Sequence, residues 1–342
     1  MDYYGKKYQK YKLKYYNLLN QSGASLVKLK KNFDICKIAV QNNGKAIKFV
    51  DIDKMTPEQY YELCKIAVQN DGKAIKFVNI DKMTPEQYYD ICKIAVQNNG
   101  DALMFVQYPS DTLETHKESV QYPKETRKDY VQSPKETLET RKESVQYPKE
   151  YVHKDIMTLK QYNDICKIAV QNKGLALRYL PYMQISFDIC KIAVQNNGKA
   201  IFFVPINNMK PEEYYEICKI AVINNSYALQ FIPINNMKPE EYYDICKIAV
   251  QYNYKVLDIV AICKMTLEQI VDICIQAVII NGLALQYVNK FNIKDDNYYK
   301  ICVIAVLNNV SVLQYVDNTL LSKKQIFNLK KILTLSKDKL QK

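Results

Sequence analysis

The chain has 342 residues, 48% of them apolar, with no Trp, 29 Tyr and a net charge of +12. That apolar fraction is enough to bury a continuous core, and no apolar run approaches the ~18 residues that span a bilayer. Residues 1–32 carry eight Lys and one Asp (+7), and residues 317–342 carry seven Lys and two Asp (+5). Residues 33–316 are therefore neutral. This distribution argues against a phosphate-tracking groove along the body of the chain.

Residues 1–32 form a basic Lys/Tyr-rich segment, with Tyr3-Tyr4, Lys6-Lys7-Tyr8, Lys10-Tyr11-Lys12 and Lys14-Tyr15-Tyr16. A helix of this composition suits an anionic membrane or a nucleic acid held by charge and stacking, or serves as a leader or cap. It has no apolar h-region, so no secretory signal is expected.

A repeating phrase starts at residue 33. It is centred on nine cysteines: Cys36, Cys64, Cys92, Cys166, Cys190, Cys218, Cys246, Cys274 and Cys302. Six of the eight spacings are 28 residues; the other two are 74 and 24. A period between twenty and fifty residues marks an array of stacked units, which overrides any division into ordinary domains. Counting each repeat Cys as zero, position +3 is always Ala, +4 always Val and −1 always Ile or Leu. Aromatics dominate −4 and −3, and polar residues occupy −5, −2, +1 and +5. Steps of three and four are a helix period, and a wide apolar face implies neighbours on both sides.

Thr56-Pro57-Glu58-Gln59 and Thr84-Pro85-Glu86-Gln87 read as capping boxes, and Thr158 and Thr266 repeat them with Leu in the Pro position. Position +8 is Gly in six units, which reads as the usual left-handed helix stop. Ser226, Tyr254 and Val310 replace that Gly, so looser or differently closed turns are expected there. A second element follows, with apolar residues at +10, +11, +13 and +14. It reads as one and a half to two turns of helix rather than a strand. The acid at −2 and the Lys at +1, from Asp34/Lys37 to Asp244/Lys247, read as i,i+3 pairs on a solvated face. The fold class expected is all-α: an α-solenoid of nine two-helix repeats of about 28 residues.

Repeats 1–3 occupy residues 33–106 and repeats 4–9 residues 156–316. Between them, residues 107–155 form a low-complexity charged insertion with nine basic and ten acidic side chains and four Pro. Such a tract cannot bury enough surface to offset ordering, and a linker insertion costs little, so the stack is expected to continue across it. The 24-residue spacing before Cys190 predicts a local bend or tighter stacking. In residues 317–342, Ile326, Leu329, Ile332 and Leu333 lie at helical spacing and suit a basic C-terminal capping helix.

The nine equivalent cysteines sit too far apart in a helix stack to form disulfides, so they read as buried apolar residues of a reducing compartment. Cys263 is off register and is the one thiol expected to be exposed. The two histidines, His116 and His153, both fall in the insertion, so no Cys–His nucleophile pair or Cys/His zinc site can form in the repeats. No Gly-rich phosphate loop is present, and the acids are spread one per unit. No catalytic, cofactor-binding or metal residue is assigned; no cofactor or small-molecule substrate is expected, and the chain is not expected to be an enzyme.

The phrase Cys-Lys-Ile-Ala-Val-Gln-Asn-Asn-Gly-x-Ala-Leu-x-Phe-Val resembles an uncharacterised tandem-repeat family of mimivirus-type giant DNA viruses and amoeba-associated bacteria. The resemblance covers residues 33–106 and 156–316. It implies an intracellular setting, host cytoplasm or virion, and carries no site residues. The leading expectation is a non-catalytic scaffold for protein partners. The alternatives are membrane or nucleic-acid association through the basic termini, or a structural virion component.

Overall fold

The computed structural model describes residues 25–107, 156–181 and 184–340. Residues 1–24 and 108–155, and with them the N-terminal Lys/Tyr run, both histidines and nearly all of the insertion, lie outside the described residues. Every described element is helical, and the repeats form an all-α solenoid. The long helices are α1 (Ser25–Asn42), α2 (Pro57–Asn70), α3 (Pro85–Asn98), α4 (Leu159–Asn172), α5 (Phe187–Asn196), α6 (Pro211–Asn224), α7 (Pro239–Tyr252), α8 (Leu267–Ile280) and α9 (Asp295–Asn308). Each belongs to the repeat of the same number, and α10 (Lys323–Leu340) follows the last.

The starts of the helices are as expected. At α2, α3, α4 and α8 a Thr oxygen accepts from the backbone N–H of a Gln, whose side chain accepts from the Thr N–H. At α6 and α7 a Lys replaces Thr and keeps half of the box: Glu213 and Glu241 accept from the Lys210 and Lys238 N–H groups. Helix α5 has ten residues where its neighbours have 14. It starts at position −3 rather than −7, so the short spacing is one missing first turn.

The helix ends differ from the sequence expectation. None of the described glycines has a positive φ, so the Gly at +8 is not a left-handed stop. The break falls one residue earlier, at +7, which is extended in every repeat, as at Asn99 (φ −150, ψ 109). In eight of the nine repeats the +7 side chain, Asn or Asp, accepts from the +9 backbone N–H, an Asx turn that opens a 3₁₀ helix. Ser226, Tyr254 and Val310 follow the same extended Asn, so their turns are not loosened. The second element is a six-residue 3₁₀ helix such as Gly72–Phe77, two turns long. In repeat 8 it passes into a single α turn, Leu285–Val288.

The interior repeats like the phrase. In repeats 2–9 positions −1, 0, +3 and +4 of the long helix are buried, as Ile91, Cys92, Ala95 and Val96 illustrate, while Ile35 and Ala39 of the first repeat are half-buried; +10 and +11 of the 3₁₀ helix close the core. Position +13, expected inside, is only half-buried at Phe77 and Phe105. The −4 Tyr is buried with its ring in the core, and its hydroxyl accepts from a linker N–H nineteen residues on: Tyr60 from Asn79 at 2.8 Å, Tyr88 from Gln107 at 3.1 Å and Tyr298 from Asp317 at 2.9 Å. A residue half apolar and half polar is what that position needs.

The chain forms two compact units, Met1–Ile189 and Cys190–Lys342. In the first, α1 to α4 pack in sequence, and α3 lies directly against α4 although their sequences are separated by the insertion. In the second, α6 to α9 pack in sequence and α10 covers α9, burying its own Leu329. No helix among the described residues is long and apolar enough to cross a membrane.

Candidate interaction surface

Three ladders join successive repeats, and they set which surfaces stay free. The first runs along the helix C-terminal edge. The Asn at +6 donates its amide to the +5 carbonyl of the preceding repeat and accepts from that repeat's Gly N–H at +8. Asn98 holds the Gln69 carbonyl and the Gly72 N–H, each at 2.8 Å. Asn172 does the same to Gln97 and Gly100 across the insertion, so repeats 3 and 4 are joined like any other pair. The glycine is needed for closeness: a Cβ on Gly72 would lie 2.3 Å from the Ala95 carbonyl oxygen, and one on Gly198 2.3 Å from that of Ala221.

The second ladder corrects the ion-pair expectation. The Lys at +1 pairs not within its own helix but with the −2 acid of the next repeat: Lys37 with Glu62 at 2.6 Å, Lys65 with Asp90 at 3.1 Å, Lys191 with Glu216 at 2.7 Å and Lys247 with Asp272 at 3.3 Å. The −3 Tyr joins the same carboxylate, with the Tyr61 hydroxyl donating to Asp90 at 2.6 Å, while the Lys lies over the Tyr ring. Partial burial alone would raise the Asp90 pKa, but the bonds from Tyr61 and Lys65 outweigh it and hold the carboxyl below its ordinary range. A lowered folded-state pKa adds stability that is complete above the unfolded Asp value, about pH 4, and is lost as pH falls through the folded value. Asp90→Asn is expected to flatten the acid limb of a plot of urea midpoint against pH below about pH 4; an acid limb identical to the parent's would remove this role.

The third ladder lies on the 3₁₀ helices of the first unit. Lys48 Nζ sits 4.6 Å from the Phe49 ring centroid and 5.8 Å from that of Phe77; Lys76 sits 4.8 Å from Phe77 and 5.7 Å from Phe105. Arg178 lies 4.7 Å over Tyr179. At +9, Asp101 takes the place of a Lys and is buried. Its carboxylate meets Lys173 at 2.5 Å, Lys73 at 3.6 Å and Arg178 at 3.8 Å, so one acid ties repeats 2, 3 and 4.

The thiols divide as expected. All nine repeat cysteines are buried and Cys263 is exposed. Burial pushes the Cys64 and Cys166 thiols up to about 12, so these groups stay protonated and inert as nucleophiles near neutral pH. Among the described residues no three His, Cys, Asp or Glu side chains come together as metal ligands.

In the second unit the same C-terminal helix edge changes character. Where repeats 1–5 carry Gln at +5 and Asn at +6, repeats 6–9 show Ile223, Tyr252, Ile279, Ile280 and Leu307, which are 45–67% exposed. From +5 to +9, repeats 6–9 hold a single charged residue, Lys255.

Residues 159–210 match the family described as a domain of unknown function (DUF4116). The match runs from the first residue of α4 to the residue before α6, two successive helix-plus-3₁₀ units. No curated protein and no solved structure matches the chain.

Proposed function

We propose that the chain is a non-catalytic repeat scaffold that holds other proteins. The observation that carries this reading is the exposed apolar edge of the second unit. An apolar row across successive repeats, nearly free of charge, is what a protein interface core requires, and scattered single hydrophobes are not. The interior is the same from repeat to repeat, while positions +5, +6, +9 and +12 vary; that is how a stacked array supplies different contacts on one frame. The likeness of the phrase to repeats of giant DNA viruses supports reading such partners as proteins of an invaded host cell or a virion. A photo-crosslinking residue at Tyr252 of the full chain tests the reading: one protein should be captured there reproducibly, and not from a crosslinker at Lys45. Equal recovery at both positions would sink it. The second reading is surface association through the basic ends, favoured by Phe327, 67% exposed on the Lys-rich helix α10. Flotation of the chain with anionic vesicles, without protein capture at Tyr252, would put that reading in place of the first.

A further inference from the structure

The charge neutrality of residues 33–316 hides a sorting by face. Residues i and i+3 of a 3₁₀ helix eclipse one another, so +9 and +12 stand in line on each 3₁₀ helix. In the first unit these positions supply Lys45, Lys48, Lys73, Lys76 and Arg178, with Lys173 beside them. The acids on the same face are Asp71, which Lys45 meets at 3.5 Å, and the buried Asp101. Six cations thus oppose two acids. The linker acids at the neighbouring margin carry their own cations, Asp51 with Lys54 and Asp53 with Lys82. The equivalent positions in repeats 6–9 are Tyr227/Gln230, Lys255/Asp258, Leu283/Gln286 and Ser311/Gln314, with no net charge.

From this row we infer that the 3₁₀ face of the first unit binds an extended acidic peptide in the polyproline II conformation, with acids seated at the Lys pairs of repeats 1 and 2 and at Arg178 of repeat 4. The pitch decides the conformation. Packed helices stand about 8–10 Å apart, and three residues of polyproline II advance about 9 Å. An acid at every third residue therefore meets a Lys pair in repeats 1 and 2 and, two steps further on, Arg178 of repeat 4. The Lys48 and Lys76 stems over Phe49 and Phe77, together with the half-buried ring of Phe105, form an apolar floor between the charges against which proline rings can rest without stacking. A single-stranded nucleic acid fits less well. Its bases need open ring faces, and here Lys48 and Lys76 already lie over those rings.

This inference shares with the reading above only the premise that the repeats hold a polypeptide; it concerns a different unit and a different face. The test is fluorescence anisotropy of labelled (Glu-Pro-Pro)₄ with the full chain, beside (Lys-Pro-Pro)₄ and a twelve-residue oligothymidylate. The acidic peptide should bind, weaken with salt and lose about tenfold or more in affinity to Lys48→Glu/Lys76→Glu, as two charge-assisted contacts require. Lys255→Glu in the second unit should leave binding unchanged. The milder Lys48→Gln/Lys76→Gln pair, with an unaltered melting curve, separates lost contacts from lost fold. Absence of binding by (Glu-Pro-Pro)₄, equal binding by (Lys-Pro-Pro)₄, insensitivity to both Lys pairs, or tighter binding of the oligothymidylate would each overturn the inference. Capture at Tyr252 together with any of these results leaves the scaffold reading intact, and peptide binding without that capture leaves this one.

Discussion

Gly72→Ala is expected to cost roughly 3 kcal/mol and to lower the melting temperature by about 5–10 °C. The added Cβ lies 2.3 Å from the Ala95 carbonyl oxygen and about as close as contact allows to Asn99, 3.0 Å from its Cβ and 3.1 Å from its N. These are mostly backbone atoms of the next repeat, so no side-chain rotation relieves the overlap. Helix α3 must move away by about an ångström to restore ordinary packing. That displacement also draws Asn98 off the Gly72 N–H, which leaves a part-buried donor without its partner. Against this stands a gain of about 0.4–1 kcal/mol from the reduced freedom of the unfolded chain, too small to reverse the sign. A stack with nearest-neighbour contacts localises such damage. Hydrogen exchange should accelerate in α1, α2 and α3 and stay unchanged in α7, α8 and α9. A melting temperature within about a degree of the parent would show that the two repeats do not approach this closely.

The chain carries its own version of that experiment. Across the eight junctions, Gly at +8 is followed by Asn at +6 of the next repeat in Gly44/Asn70, Gly72/Asn98, Gly100/Asn172, Gly174/Asn196, Gly198/Asn224 and Gly282/Asn308. At the two junctions where the Gly is missing the Asn is missing too: Ser226 precedes Tyr252, and Tyr254 precedes Ile280. A side chain at +8 and an amide at +6 are alternatives, because the Asn reaches the backbone only when nothing stands between the repeats. The cation ladder behaves alike. Lys at +1 is followed by an acid at −2 in seven junctions, and in the eighth both are replaced, by Ile275 and Lys300.

These pairings explain what could be read from the amino acids and what could not. Signals contained within one repeat were legible: the Thr–Gln caps, the helix period and the buried Cys-x-x-Ala-Val face each state their geometry locally. Signals shared between repeats were misread as local ones. Asn followed by Gly at a helix end reads as a left-handed stop, yet the glycine answers to the next helix. An acid and a Lys three apart read as one pair, although a Lys and the next acid 25 residues on fit the same 28-residue period equally well. The surfaces were the least legible. Summed charge discards which face a side chain occupies, so the basic row of the first unit cancelled against acids elsewhere. The apolar edge of the second unit required knowing that +5 and +6 lie on the rim.

Asn98→Ala is the complementary cut, expected to cost roughly 2 kcal/mol from two lost hydrogen bonds and the part-buried Gly72 N–H and Gln69 carbonyl left behind. It enlarges nothing and forces nothing apart, so its effect isolates the amide from the contact. The double variant Gly72→Ala/Asn98→Ala then separates two accounts of the junction. If Gly72→Ala acts only by steric pressure, the two costs add to within about 0.5 kcal/mol. If it also breaks the Asn98 bonds, the second substitution removes what is already lost, and the double variant is more stable than the sum by roughly 1–2 kcal/mol. The geometry requires the second result, since the Cβ that forces α3 away stands on the same residue whose N–H bonds Asn98. Denaturation of the four proteins decides it, and strict additivity would mean that the asparagine and the glycine, though always found together, stabilise the stack independently.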